Sequence, residues 1–317
     1  MQTRTLGSDG PAVGAVGLGC MGMSWAYDPE ERDDEASVAV IQRAIGLGVT
    51  LIDTADVYGP FTNEELVGRA LRGRRSEVTL ATKCGLVVDD VANLSMHRDG
   101  RPEHVRSAID ASLRRLGTDV VDLYQLHRVD DDVPLEETWG AMAGLVAAGK
   151  VRAIGLSEVT VEQAELAHTT HPVASIQSEL SLWTRDALRD VVPWCSENGV
   201  AFIPFAPLGR GFLTGEVTAS RFGSDDFRAR NPRFTSEAMS ANIPLVDRVR
   251  TVAARHDATP AQVAIAWTLT QGDHVIPIPG TKKLSRLEEN AAAADLQLNA
   301  SDLADLNALP AAAGARY

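Results

Sequence analysis

The chain is short of several things. Three cysteines among 317 residues, Cys20, Cys84 and Cys195, are too few and too scattered for a disulfide framework, and none forms a C-x-x-C pair. Positive charge is in deficit. Lys and Arg number 30 against 43 Asp and Glu, a formal net charge of −13. That balance excludes the broad basic face needed to hold nucleic acid or an anionic membrane, though not a local phosphate pocket. No apolar run reaches the roughly 18–20 residues of a membrane span. Met1 to Asp9 has no apolar stretch of a secretory signal. The histidines, at 97, 104, 127, 168, 171, 256 and 274, are dispersed and include no His-x-His pair, so no metal is expected. Together these absences predict a cytoplasmic protein of a reducing compartment, with neither nucleic acid nor membrane as partner.

What is present is ordinary globular composition, with 44% hydrophobic and 23% charged residues. Short β-branched apolar runs alternate with longer helical patterns. Strands are predicted at Val16 to Cys20, Val49 to Asp53, Val78 to Lys83, Val120 to His127, Val151 to Leu156, Ala174 to Gln177, Val200 to Ala206 and His274 to Ile278. Their near-continuous apolar character fits strands buried on both faces, as in a parallel sheet. Helices are predicted at 34–47, 63–71, 102–116, 135–148, 161–167, 185–198, 260–270 and 285–294. Eight strands alternating with helices predict an α/β fold, a (β/α)8 TIM barrel forming one domain over residues 1–317. Met1 to Val13 reads as a hairpin plugging the barrel bottom. Gly211 to Asn242 reads as a long polar loop after strand seven. Gly17-Leu18-Gly19-Cys20-Met21-Gly22 matches G-x-G-x-x-G, but no helical pattern follows, so a doubly wound dinucleotide fold is not favoured.

Four polar residues mark the strand ends. Asp53 closes the second strand and Tyr58 lies five residues on. Lys83 closes the third strand and His127 the fourth. In a parallel barrel these ends share one face, where barrel enzymes do their chemistry. A phenol with an ordinary pKa of about 10 is a poor donor near neutrality. An adjacent Lys83 ammonium is expected to lower it, with Asp53 holding Lys83 charged and His127 orienting a carbonyl oxygen. Such a set suits protonation of an oxygen that gains negative charge during reduction.

These residues, in Ile52-Asp53-Thr54-Ala55 with Tyr58-Gly59, Ala81-Thr82-Lys83 and Asp122-Leu123-Tyr124-Gln125-Leu126-His127, resemble those of the aldo-keto reductases. Gly155-Leu156-Ser157, Gln177, Pro207-Leu208 with Gly211, and Pro279-Gly280-Thr281-Lys282 leading to Glu288-Glu289-Asn290 extend the resemblance over about Arg4 to Leu306. Gly-Leu-Gly-Cys-Met-Gly-Met-Ser is similar to the bacterial and plant branch. The resemblance implies NADPH-dependent reduction of aldehydes and ketones to alcohols, with NADPH/NADP+ as cofactor and no metal. It makes Tyr58 the general acid, Lys83 and Asp53 the pair that lowers its pKa, and His127 the residue that orients the carbonyl.

It also implies a cofactor groove. Ser157 and Gln177 would hold the nicotinamide carboxamide, and Phe205 would stack on the ring. Gly19, Cys20, Met21 and Asp53 would border the ribose and nicotinamide. Backbone of Ala206, Pro207, Leu208, Gly209 and Gly211 would pass the pyrophosphate. At the last turn, Pro279, Gly280, Thr281, Lys282 and Arg286 would meet the 2′-phosphate at a helix start, and Glu289 and Asn290 the adenine. Ser285 with Glu288 reads as a capping box there. Two departures stand out. Glu158 follows Ser157 where many relatives have Asn, and Ala206 replaces a serine. Glu accepts amide protons but cannot donate to the amide oxygen.

For the carbonyl substrate, Met23, Trp25, Tyr58 and His127 form the expected pocket, with His97 and Trp183 as further wall. Arg228, Arg230 and Arg233 read as solvated loop residues, with an acidic substrate or the cofactor as the other option. The competing function is a cofactor-binding regulatory subunit, like channel-associated β subunits, with little turnover. The sequence carries no signature of oligomeric state.

Overall fold

The computed structural model describes residues 1–27, 29–91, 95–217, 222–223 and 226–316. In chain order its strands are β1 (Thr3–Thr5), β2 (Ala12–Gly14), β3 (Leu18–Gly19), β4 (Leu51–Asp53), β5 (Thr79–Cys84), β6 (Leu86–Asp90), β7 (Ser95–Arg98), β8 (Val121–Leu126), β9 (Val151–Ser157), β10 (Ser175–Glu179) and β11 (Ala201–Phe205). Seven of them form one parallel sheet in the order β3-β4-β5-β8-β9-β10-β11. β1 and β2 form an antiparallel hairpin, with Arg4 opposite Val13.

The sheet closes through residues 274–280. On one side Ile276 N donates to Phe202 O at 2.8 Å and Ile278 N to Pro204 O at 3.0 Å. On the other, Gly17 N donates to Pro277 O at 2.9 Å and Gly19 N to Pro279 O at 3.4 Å. Pro277 and Pro279 lack the N–H that a regular ladder would use. The predicted eighth strand is therefore present as a closing segment with two isolated bridges, Phe202 to Val275 and Gly19 to Gly280. The result is the (β/α)8 barrel.

Side chains alternate along each strand, and this places the site. Leu51, Ala81, Leu123, Ala201 and Ile203 point inward together with Ile276 and Ile278, and Leu6 and Val13 of the hairpin close the same cluster. Two residues further along three of these strands come Asp53, Lys83 and Gln125. The registers align Asp53 with Ala81, Lys83 with Gln125, and Ser157 with Gln177. An apolar layer thus fills the barrel and a polar layer sits above it. The opposite faces, including Ile52, Leu80, Tyr124, Ile154, Ile176 and Phe202, pack against helical Ile41, Trp139 and Trp267 in the outer core. Each fully buried large side chain of this kind contributes roughly 1.5–3 kcal/mol.

The helix Pro102–Leu116 opens on proline and ends at Gly117, whose φ of 64° closes it in the left-handed conformation. Other elements depart from the sequence reading. The capping box at Ser285 does not form: helix Leu284–Ala292 starts after Lys283 with no side-chain cap, and Glu288 instead bonds Arg43 at 2.9 Å. The 211–242 segment, of which 218–221 and 224–225 lie outside the described residues, is no continuous loop. Its last part enters a 20-residue helix, Ser236–Arg255, which carries Pro244 inside. The antiparallel pair β6–β7 and the helix Ala300–Asn307 were also unassigned. Residues 185–198 split into a 3-10 turn, Asp186–Leu188, and a helix, Val191–Glu197. Only a single helical turn, Met21–Ser24, follows the early glycines. Among the described residues no helix is long and apolar enough to cross a membrane.

Candidate active site

Asp53, Tyr58, Lys83 and His127 meet at the C-terminal mouth of the barrel. Lys83, fully buried, donates from Nζ to Asp53 Oδ1 at 2.6 Å and to Thr54 O at 2.8 Å. The Tyr58 hydroxyl lies 3.4 Å from the same nitrogen. The His127 ring stands edge-on to Tyr58, 5.8 Å between centroids. Its Nδ1 is buried with no partner among the described residues.

Burial dominates the electrostatics. It raises the Tyr58 pKa above the ordinary phenol value, and the opposing pull of Lys83 does not overcome it. The expected net lowering of the phenol pKa is therefore corrected: Lys83 acts in that direction but loses to desolvation. Burial by itself would lower the Lys83 pKa, yet Asp53 and Tyr58 beside it leave the pKa raised, so the ammonium stays charged. Burial, then the charges of Lys83 and Arg128, push His127 well below the usual imidazole range, so it is neutral near pH 7.

The polar layer continues around the mouth. Gln177 donates from Nε2 to Asp53 Oδ2 at 2.8 Å and to Gln125 Oε1 at 3.2 Å. Its Oε1 has no protein partner among the described residues. The Ser157 hydroxyl accepts from Arg128 NH1 at 3.2 Å and keeps its own proton to donate. One acceptor and one donor thus lie on neighbouring strands, the complement of a primary carboxamide. Glu158 is in the left-handed region, φ 55°, and its Oε1 is held by the Glu179 N–H at 3.0 Å and by Arg316 at 2.7 Å. Its carboxylate is thus engaged within the protein.

Phe205 ends β11 half-buried, and the Arg316 guanidinium lies over its ring at 5.7 Å. The tail that carries Arg316 is pinned by Asn242 to Ala313 O, Arg233 to Gly314 O and Asn231 to Arg316 O. After β11, Ala206, Gly209, Arg210 and Gly211 all have positive φ, forming a tight turn past Pro207 and Leu208. A Cβ on Gly209 would meet the Trp183 ring at 2.5 Å, so only glycine fits. The Gly209 and Gly211 amides are bonded to Ala206 O and Leu208 O. At the last turn, Pro279 is buried and Gly280 exposed, Thr281 Oγ1 accepts from Lys283 N at 3.1 Å, and Arg286 pairs with Glu216. Lys282 Nζ reaches Tyr27 O at 3.5 Å. Asn290 is buried and Glu289 half-buried in the helix that follows.

The substrate wall needs correction. Met23 is 1% exposed and packs in the outer core. Trp183 is likewise buried, stacked near Phe212 and Phe234. His97 stands exposed on β7 with Asp89 as partner. Trp25 does lie by Tyr58, 6.1 Å between rings, in a cluster with Met21, Leu86 and Val88. The hairpin β6–β7 supplies the last two, and sequence reasoning missed it. Gly19 and Cys20 sit at the end of β3, where Cys20 N bonds Asp53 O. Arg228 and Arg233 are not solvated. Both are buried, Arg228 forked on Asp226 and Arg233 bonded to Thr184, while Arg230 is exposed. Arg128 was also missed, although it directly follows His127.

The barrel and its phenol–ammonium–carboxylate–imidazole mouth define a class of single-barrel oxidoreductases. The chain belongs to the aldo/keto reductase family, whose profile matches residues 15–311. It is 42% identical over its whole length to a probable aldo-keto reductase 1 of Glycine max, covering 92% of that protein. Among solved structures it is similar to a glycerol dehydrogenase from Gluconobacter oxydans, at 30% identity and a TM-score of 0.87, covering 96% of this chain and 94% of that one. An aldo-keto reductase from Klebsiella pneumoniae in complex with NADPH superposes at 28% identity and a TM-score of 0.74, covering 97% and 94%.

Proposed function

We propose that the protein reduces aldehydes or ketones to alcohols with NADPH, using Tyr58 as general acid. The observation that carries this reading is the buried Lys83 ammonium, 2.6 Å from Asp53 and 3.4 Å from the Tyr58 hydroxyl. When bound, NADPH supplies the hydride. The Ser157 hydroxyl and Gln177 carbonyl would hold its carboxamide, the turn after β11 its pyrophosphate, and Thr281, Lys282 and Arg286 its 2′-phosphate. The family and the NADPH-bound Klebsiella relative support this assignment.

Tyr58 keeps its proton in the resting site because burial holds its pKa high. As negative charge grows on the substrate oxygen, the phenol becomes the nearest donor. Once the proton has left, the phenolate sits against Lys83, which Asp53 keeps charged. The ammonium thus stabilises what the donation leaves behind, and acts hardest in the transition state. Neutral His127 donates to the same carbonyl oxygen without adding a charge.

The test is consumption of NADPH by the purified protein. It should require an added carbonyl compound and persist in chelator. A protein that binds NADPH tightly yet turns over no carbonyl would be a cofactor-binding subunit instead. Absence of micromolar NADPH binding would end both readings.

A further inference from the structure

Five arginines gather around the barrel mouth, and four of them are paired with carboxylates. Arg210 meets Glu179 at 3.1 Å, Arg228 meets Asp226 at 2.6 Å, Arg316 bridges Glu158 and Glu179, and Arg233 lies 3.9 Å from Glu179. Arg128 differs. Its hydrogen bonds both leave NH1, to the His127 carbonyl at 2.6 Å and to Ser157 Oγ at 3.2 Å. Nε and NH2 have no protein partner among the described residues. The neighbouring carboxylates are engaged elsewhere: Asp53 by Lys83, Asp130 by the Gly100 and Asp132 amides, Asp131 by Arg98 and Glu158 by Arg316.

The guanidinium is half-buried, so its Nε and NH2 side remains open to a ligand's charge. NH1 is anchored at the strand ends, which fixes the plane of the group and leaves an N–H fork on the other side. Such a fork matches a carboxylate in two parallel hydrogen bonds. A second orphan donor, Trp25 Nε1, is buried without a partner among the described residues, in the cluster around Tyr58. NH1 bonds the His127 carbonyl and Ser157 Oγ, and the Arg128 charge acts on both Tyr58 and His127, so it lies beside the proposed carbonyl site.

We propose that Arg128 is the substrate's anion-recognition residue, and that the preferred substrates are carbonyl compounds bearing a carboxylate a few bonds from the carbonyl. This rests on the reductase reading above and adds the substrate class. Lys83 cannot serve the purpose, since Asp53 neutralises it. The protein as a whole carries a net charge of −13, so an anion gains nothing from the general field and depends on this local charge.

The test compares 4-carboxybenzaldehyde with the neutral 4-nitrobenzaldehyde, at saturating NADPH, in wild type, Arg128→Met and Arg128→Lys. Wild type should favour the carboxylate in kcat/KM. Arg128→Met should lose roughly 10–150-fold on the carboxylate, mainly in KM, the range for one charge-assisted contact. It should stay within a few-fold on the neutral aldehyde. Arg128→Lys should recover part of the loss, and added salt should shrink the preference. Equal losses on both aldehydes would make Arg128 a prop for His127 and Ser157 and overturn the proposal. So would a wild type that does not prefer the carboxylate. A calorimetric titration with benzoate and benzamide judges Arg128 without turnover. Benzoate binding that Arg128→Met abolishes supports the assignment, and equal binding of both compounds overturns it. If neither aldehyde is reduced, the reductase reading fails, and the benzoate result still decides the fate of Arg128.

Discussion

The two ends of the proposed cofactor groove are built on opposite plans. The proton-transfer cluster is dry and preformed. Lys83 is fully buried, Asp53 and Tyr58 nearly so, and the Lys83–Asp53 contact is 2.6 Å. The last turn is wet, and its cations hold interim partners from distant loops: Arg286 with Glu216, Lys283 with Glu31. The first region costs no reorganisation when charge moves, which is what stabilises a transition state. On the proposed cofactor assignment, the second would exchange a carboxylate for a phosphate. On that proposal, chemistry would be set by a buried pair, and cofactor capture by a competition between anions at the surface.

The largest expected effect comes from breaking the dry end. Tyr58→Phe keeps the ring and removes the proton, and should slow the chemical step by about 10²–10⁴. NADPH affinity should hold within a few-fold in a fluorescence titration; full turnover on an aldehyde would remove Tyr58 from its role. Lys83→Met strands a buried Asp53 carboxylate. It should lower stability by about 3–5 kcal/mol in urea denaturation as well as abolish most turnover. An unchanged denaturation midpoint would mean that Asp53 finds another partner or a proton.

The wet end should respond more weakly and more selectively. The double variant Lys282→Ala, Arg286→Ala should weaken NADPH roughly 10–150-fold or more, as one or two charge-assisted contacts predict. NADH should be nearly unaffected, and the difference should fall with salt. Equal loss for both cofactors would show that these cations support the loop. Glu216→Gln sharpens the comparison from the other side. An exposed ion pair is worth about 0.2–1 kcal/mol, so releasing Arg286 should tighten NADPH by up to about fivefold. Weaker binding in that variant would mean that Glu216 holds Arg286 in place instead of competing for it.

The smallest effect should be that of pH. Burial raises Tyr58 above its ordinary 10.0 and, with Lys83 and Arg128, drives His127 far below 6.5. Tyr58 is then protonated and His127 neutral throughout the interval between those values. kcat for reduction should be flat there, falling only above about pH 10 as the phenol ionises. A limb near neutrality would assign either group a different protonation state.

Asp53, Lys83 and His127 were readable because a strand end is a local property. An apolar run that stops at one polar residue places that residue at the barrel mouth, and the period of two then sets which side chains share the interior. Tyr58 followed from its distance past Asp53. Met23 was misread because the turn that follows β3 directs it into the core beneath the helices, which spacing does not show. Ser285 and Glu288 had the spacing of a capping box, yet Arg43, 245 residues away in sequence, draws Glu288 off.

The sequence by itself determined the barrel, the alternation of its eight strand segments with most of the helices, and the residues that end the strands, since alternation and helical periodicity act over a few residues. Tertiary structure alone decided which charges are already paired. Glu158, Glu179, Arg233 and Arg316 come from a loop, the end of β10, a 3-10 turn and the tail and neutralise one another across the mouth, whereas Arg128, next to His127 in the chain, has no carboxylate partner among the described residues. Coulombic pairing depends on distance in space and on exclusion of water. Neither is a function of position along the chain.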